Sequence, residues 1–178
     1  MLLVTRDRVG PIAFSRLVAD GLVHNVIANR AMPADVEDSR AVREYLLAPF
    51  VPSHAWLTGL AVLWIDGLCA APPHLDLATP RGTHRTLPAE GGPGVVFHMG
   101  SLFGLASDPS GLRTATPARA CIDALVHSPA TKAIPATASA LRTGLTSTEA
   151  LREALVSVGT NTGRRPRVTS ILDALAAL

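Results

Sequence analysis

The sequence predicts an α+β protein, with a small mixed or antiparallel sheet packed against about six helices. Three observations lead to this. The chain has 178 residues, of which 48% are hydrophobic, enough apolar surface for one good core. The stretch from Pro72 to Ser110 is crowded with Gly and Pro, and it contains segments that alternate polar and apolar side chains, as half-buried strands do. On both sides of it, apolar residues recur every three or four positions, as they do along one face of a helix. Aromatic residues make up only 4% of the chain, so the core is expected to be built from Leu, Val, Ile and Ala.

Taken in order, Ile12 to Ala19 predicts a short helix through Phe14, Leu17 and Val18, stopped at Asp20-Gly21. Leu22 to Ala28 reads as a strand, and Ala31 to Ser39 as a loop marked by Pro33. Ser39 is a plausible N-cap for a helix to Leu47 with Val42, Tyr45 and Leu46 on one face, and Pro49 and Pro52 end it. His54 to Ile65, apolar all round, predicts a buried central helix stopped by Asp66-Gly67. His74 to Thr79 alternates as a half-buried strand. Val95 to His98 is a second strand, entered through the turn Gly91-Gly92-Pro93-Gly94, and Leu112 to Thr116 is a third. Thr116 and Pro117 suit the N-cap and first position of a helix in which Arg119 and Asp123 form an i,i+4 pair and Ile122, Leu125 and Val126 face inward. Pro129 to Arg142 is helical with an interruption before Pro135, and Gly144 ends it. Thr146 and Glu149 predict a capping box opening a helix to Val158. A last helix is expected from about Pro166 to Leu178, with Val168, Ile171, Leu172 and Leu175 on one face.

The net charge is +2, too small to identify a nucleic-acid binder by charge alone. Lys132 is the only lysine, so any chemistry that requires an amine would have to use it. Cys69 and Cys121 lie far apart in apolar stretches and are expected to be reduced thiols. No signal peptide is evident at Met1 to Arg8, and the apolar run near Trp56 to Ile65 is far short of the roughly 20 residues that span a bilayer. A cytoplasmic protein without membrane contact is expected.

Motifs that carry chemistry are absent. There is no G-K-[ST] for a phosphate-binding loop, no dinucleotide fingerprint, no C-x-x-C and no H-E-x-x-H. Gly100-Ser101-Leu102-Phe103-Gly104 lacks the G-x-S-x-G spacing of a nucleophile elbow. The histidines are His24, His54, His74, His84, His98 and His127. Of these, His74 shares a strand face with Asp76, and His98 falls on a possible neighbouring strand. The three are either ligands for a divalent metal or the polar outer face of a half-solvated sheet. The second reading is the ordinary one, so no catalytic residue, metal ligand or cofactor is assigned. Basic residues cluster at Arg6, Arg8, Arg16 and Arg30, and again at Arg164, Arg165 and Arg167. The second cluster opens the last helix, where the dipole disfavours cations and where phosphates bind.

The order of several segments resembles one family. These are Arg16 to Val23, Arg40, His54 to Ala61, Asp66-Gly67-Leu68, Gly111 to Asp123, Ala140 to Gly144 and Gly163-Arg164-Arg165. Together they are similar to the AbiEi-type family of type IV antitoxins and related actinobacterial transcriptional regulators, over most of the chain from about residue 12 onward. The resemblance implies a winged-helix unit that binds DNA and represses its own operon, followed by an α/β domain linked with counteracting a nucleotidyltransferase-like toxin. On this basis residues 1–50 are expected to form a truncated winged-helix segment and 51–178 the antitoxin-like α/β domain. About eleven residues precede Ile12, so the recognition helix is expected to be truncated or missing. Longer relatives continue into a nuclease-like domain beyond the point matching Leu178, and Lys132 has no acidic neighbour that would suggest nuclease chemistry here.

The expected function is therefore that of a non-enzymatic, antitoxin-like transcriptional regulator. Its candidate partners are DNA and a cognate toxin protein, and Arg16, Arg30, Arg164, Arg165 and Arg167 are the expected DNA contacts. Two alternatives stand beside it: a homodimeric interaction module without DNA contact, and a metal-dependent hydrolase built on His74, Asp76 and His98.

Overall fold

The computed structural model describes residues 3–27, 29–82, 92–107, 111–159 and 163–177. It is mixed α and β, with a three-stranded and a five-stranded sheet.

The N-terminal sheet is built around a helix–turn–helix. Strand β1 (Val4–Thr5) leads directly into α1 (Arg6–Val9), and α2 (Pro11–Ala19) follows after one residue. That residue, Gly10, sits at φ 81°, a conformation that a side chain would strain, so the tight turn depends on glycine there. Strands β2 (Val23–Ile27) and β3 (Arg30–Pro33) form an antiparallel hairpin, and β3 also pairs antiparallel with β1, giving the order β1-β3-β2. Phe14 of α2 docks on Val23 and Ala31 in a small apolar cluster, with Val4 and Leu17 against it.

Helix α2 falls where a helix over Ile12 to Ala19 was expected. One expectation about this region is corrected. Residues 31–33 are the middle strand of the sheet, where Pro33 is tolerated because it stands at the strand's last position.

Helix α3 (Arg40–Leu47) runs into a 3-10 turn (Ala48–Phe50). Its buried side is Leu46 and Leu47, whereas Tyr45, expected on the inner face, points to solvent. The predicted central helix is in fact a strand followed by a helix: β4 (Trp56–Thr58), then α4 (Gly59–Ile65). Gly59 makes the switch at φ 61°, and all seven residues of α4 are buried. At about 1.5–3 kcal/mol for each large aliphatic side chain removed from water, this short helix is a major contributor to the core. Gly67, at φ 76°, ends the segment as expected.

The second sheet has the order β6-β5-β4-β8-β7. Strand β5 (His74–Thr79) matches the expected range and pairs antiparallel with β4 and parallel with β6 (Gly94–Met99). Leu75 to Thr79 are all buried, because β5 lies inside the sheet and is covered on both faces, where alternation had implied a half-solvated strand. Strand β8 (Arg113–Ala115) pairs parallel with β4 and antiparallel with β7 (Leu105–Ser107), which was not anticipated. Of the turn before β6, Gly91 lies outside the described residues, as does His84.

Helix α5 (Pro117–His127) starts as expected, with the Thr116 hydroxyl accepting from the Arg119 amide. Helix α6 (Ala130–Arg142) runs through Pro135 without interruption; the proline removes one backbone donor on an exposed face in the second turn. Helix α7 (Thr148–Val158) is capped by Ser147, one residue later than the expected capping box, with its hydroxyl accepting from the Ala150 amide at 3.1 Å. Helix α8 (Arg165–Ala176) buries Val168 and Leu172. The main core joins α4 to α8 and the second sheet to Leu46, Leu47 and Phe50, and it extends to Val26, Ile27 and Met32 of the first sheet, so apolar packing is continuous across residue 50. Among the described residues no helix is long and apolar enough to cross a membrane.

Candidate functional site

Two places in the molecule carry unused chemistry. The first is the outer side of α2. Phe14 and Leu17 turn inward to the hairpin, which forces Ile12, Ala13, Ser15 and Arg16 outward. Ile12 is 83% exposed. A helix that presents small, hydroxyl, apolar and basic side chains together has the inventory that reads base edges and thymine methyl groups.

The second place is a polar layer between the second sheet and α5. Thr58 and Asp76 stand opposite each other on β4 and β5, so their side chains share a face. The Thr58 hydroxyl donates to Asp123 Oδ2 at 2.6 Å, and Arg119 Nε donates to the same oxygen at 2.8 Å. Arg119 and Asp123 are each 3% exposed, so the i,i+4 pair expected at the helix start forms and is buried. Arg119 Nη1 also donates to the carbonyls of Ser101 (3.0 Å) and Phe103 (2.8 Å), tying the loop after β6 to α5. Gly104, at φ 67°, lets that loop pass; a Cβ there would lie 2.9 Å from Arg119 Cβ.

His74, Asp76 and His98 do come together. His98 Nε2 lies 2.7 Å from Asp76 Oδ1, and His74 Nε2 lies 3.8 Å from the same atom. A carboxylate only accepts, so His98 Nε2 carries the proton of that bond. Both rings address one oxygen instead of a common vacant point. Among the described residues no group of three or more His, Cys, Asp or Glu is arranged to hold a metal ion. Asp76 is buried, which departs from the expected polar outer face.

His98 stacks on His127 at the end of α5, with 3.8 Å between ring centroids and 21° between planes. The His127 residue keeps an exposed edge, but its ring is crowded; burial first, then neighbouring His98, push its pKa down to about 4. Arg164, just before α8, donates through Nη1 to the Val126 carbonyl at 3.2 Å and lies 3.4 Å from His127 Nδ1. Arginine only donates, so Nδ1 is the acceptor and His127 is neutral. This contact explains a basic residue at the start of a helix: Arg164 sits against the negative, C-terminal end of α5. A cavity of about 560 Å³ opens over this layer, lined among others by Arg81, His98, Ser101, Asp123, His127 and Arg164.

The expected DNA contacts therefore fall into separate settings. Arg16 is exposed on α2. Arg30, on the hairpin, is stacked over the Phe50 ring at 4.3 Å, and burial pulls its pKa down while Asp7 pulls it up. Arg165 and Arg167 are exposed in the first turn of α8, and Arg164 lines the cavity. His127 was one of the six histidines but drew no role from the sequence, and Thr58 drew none either, because a histidine ending a helix and a threonine in an apolar run carry no spacing signal. Cys69 and Cys121 are free thiols, pushed up by burial to about 11 and about 12. No family model matches the chain, and no curated protein matches it.

Proposed function

We propose that this protein is a non-enzymatic, cytoplasmic DNA-binding regulator of the antitoxin type, which reads duplex DNA with α2 and contacts the backbone through the hairpin that follows. The observation that supports it best is the helix–turn–helix with its hairpin, in which α2 buries Phe14 and leaves Ile12, Ser15 and Arg16 in solvent. Among the described residues none of those outward side chains makes a hydrogen bond, an ion pair or a core contact, and a recognition helix in the major groove would use them. Arg16 is the proposed base or phosphate contact on α2. Arg165 and Arg167 are proposed as auxiliary backbone contacts, since both are solvent-facing; Arg30 is a hairpin contact whose guanidinium is partly committed to Phe50. The resemblance to AbiEi-type regulators adds a cognate toxin protein as the proposed second partner.

The test is fluorescence anisotropy with DNA from the region upstream of the protein's own gene, alongside a pull-down of the neighbouring gene product. Saturable, salt-sensitive binding that Arg16→Ala weakens by about 1–3 kcal/mol supports the proposal. Binding to neither DNA nor the neighbouring protein would remove it.

A further inference from the structure

The cavity above α5 has a charge imbalance that points to a ligand. Asp123 is neutralised by Arg119 and accepts a hydrogen bond from Thr58, and Asp76 accepts from His98. Among the described residues, both carboxylates bordering or backing the cavity are thus committed. Two guanidinium groups from different parts of the chain are not: Arg81, which follows β5, and Arg164 both line it, and neither forms an ion pair among the described residues. Arg164 uses only Nη1 in its bonds to α5. Those bonds fix the orientation of the guanidinium plane and leave most of its five donors for a guest.

The remaining wall is chemically selective. Burial first, then His98, keep His127 neutral, and its Nδ1 accepts from Arg164, so Nε2 carries the ring proton and is a donor. Ser101 and Gly100 contribute a hydroxyl and backbone, while Val126 and Val158 supply an apolar side. The volume, about 560 Å³, lies within the range of small-molecule sites and is too small for a duplex. Arginine forks match the paired oxygens of phosphate and carboxylate, and two guanidinium groups on one guest suit the doubly charged phosphate.

We infer that this cavity binds a small phosphate-bearing molecule, with Arg164 and Arg81 clamping the phosphate and the His98–His127 stack flooring the site. The inference concerns the second sheet and α5 and does not depend on DNA reading by α2. It assigns Arg164 to this site instead of to DNA.

Isothermal titration of the intact protein with inorganic phosphate, adenosine 5′-monophosphate and adenosine tests it, with thermal melts confirming that each variant folds. Phosphate and the monophosphate should bind and adenosine should not. Arg164→Ala should weaken both by about tenfold or more, with partial recovery in Arg164→Lys. Arg81→Ala, a change at an exposed position that threatens no packing, should weaken them as well. Tighter binding of the monophosphate identifies an organic phosphate as the guest, and equal binding identifies free phosphate. DNA affinity should be unchanged in Arg81→Ala and Arg164→Ala. No saturable binding of either phosphate, or binding that both variants leave intact, overturns the inference. So does equal binding of adenosine, or an Arg164→Ala protein that loses DNA and never bound phosphate.

Discussion

Asp123 accepts from Thr58 and from Arg119 while almost wholly removed from water. Removing it strands a buried guanidinium, whose desolvation is then uncompensated. Asp123→Ala is expected to cost about 3–5 kcal/mol in urea denaturation, and Thr58→Val less, about 1–3 kcal/mol, since only a neutral donor is lost. His127 behaves differently. Its pKa is held near 4 against an ordinary 6.5; burial and then His98 lower it, Asp123 and Asp76 pull it upward, and Arg164 lowers it further. Between those two values the unfolded chain binds a proton that the folded chain refuses. Stability is therefore fully present above about 6.5, falls as pH drops toward 4, and loses nothing more to this group below that. Urea midpoints compared at neutral and mildly acid pH should fall less for His127→Gln than for the unaltered protein. The thiols offer a simpler check. With both pKa values raised by burial, Cys121 should resist a thiol reagent until the protein unfolds, and immediate labelling of both cysteines in the native state would contradict the packing.

At the scale of elements, the segment from Trp56 to Ile65 shows what periodicity alone cannot resolve. A buried strand and a buried helix are both apolar on every side, so β4 and α4 read as one helix. The divide is Gly59, at φ 61° with Asp76 Oδ2 3.1 Å from where a Cβ would stand. Gly59→Ala is expected to destabilise by at least about 1–2 kcal/mol, the cost of a left-handed residue, with the close approach to Asp76 adding to it; thermal or urea unfolding measures this. Strand β3 escaped because Ala31-Met32-Pro33 has turn-like composition, and β7 because three residues carry no period. By contrast, β5, β6, α5 and α8 were legible from alternation, a Thr-Pro start and a repeating apolar stripe. Part of the candidate site was legible for the same reason. Strand period 2 puts His74 and Asp76 on one face and parallel pairing brings His98 beside them, and i,i+4 spacing pairs Arg119 with Asp123. Burial of those pairs, and the meeting of His127 with His98 and Arg164, depend on packing between elements distant in sequence.

For the molecule as a whole, one apolar core underlies two differently equipped regions. The N-terminal helix–turn–helix offers an outward helix face, and the layer between the second sheet and α5 offers a cationic cavity. The cationic residues stand in different settings: Arg16 is exposed on α2, Arg30 rests on Phe50, and Arg164 turns back onto the end of α5. This division of labour is the proposal most open to direct attack. The measurement is DNA anisotropy on the unaltered protein, Arg16→Ala and Arg164→Ala side by side, over a range of salt. Salt-dependent binding is expected that Arg16→Ala weakens by about 1–3 kcal/mol and that Arg164→Ala leaves unchanged. Absence of DNA binding, or binding indifferent to Arg16, would contradict it.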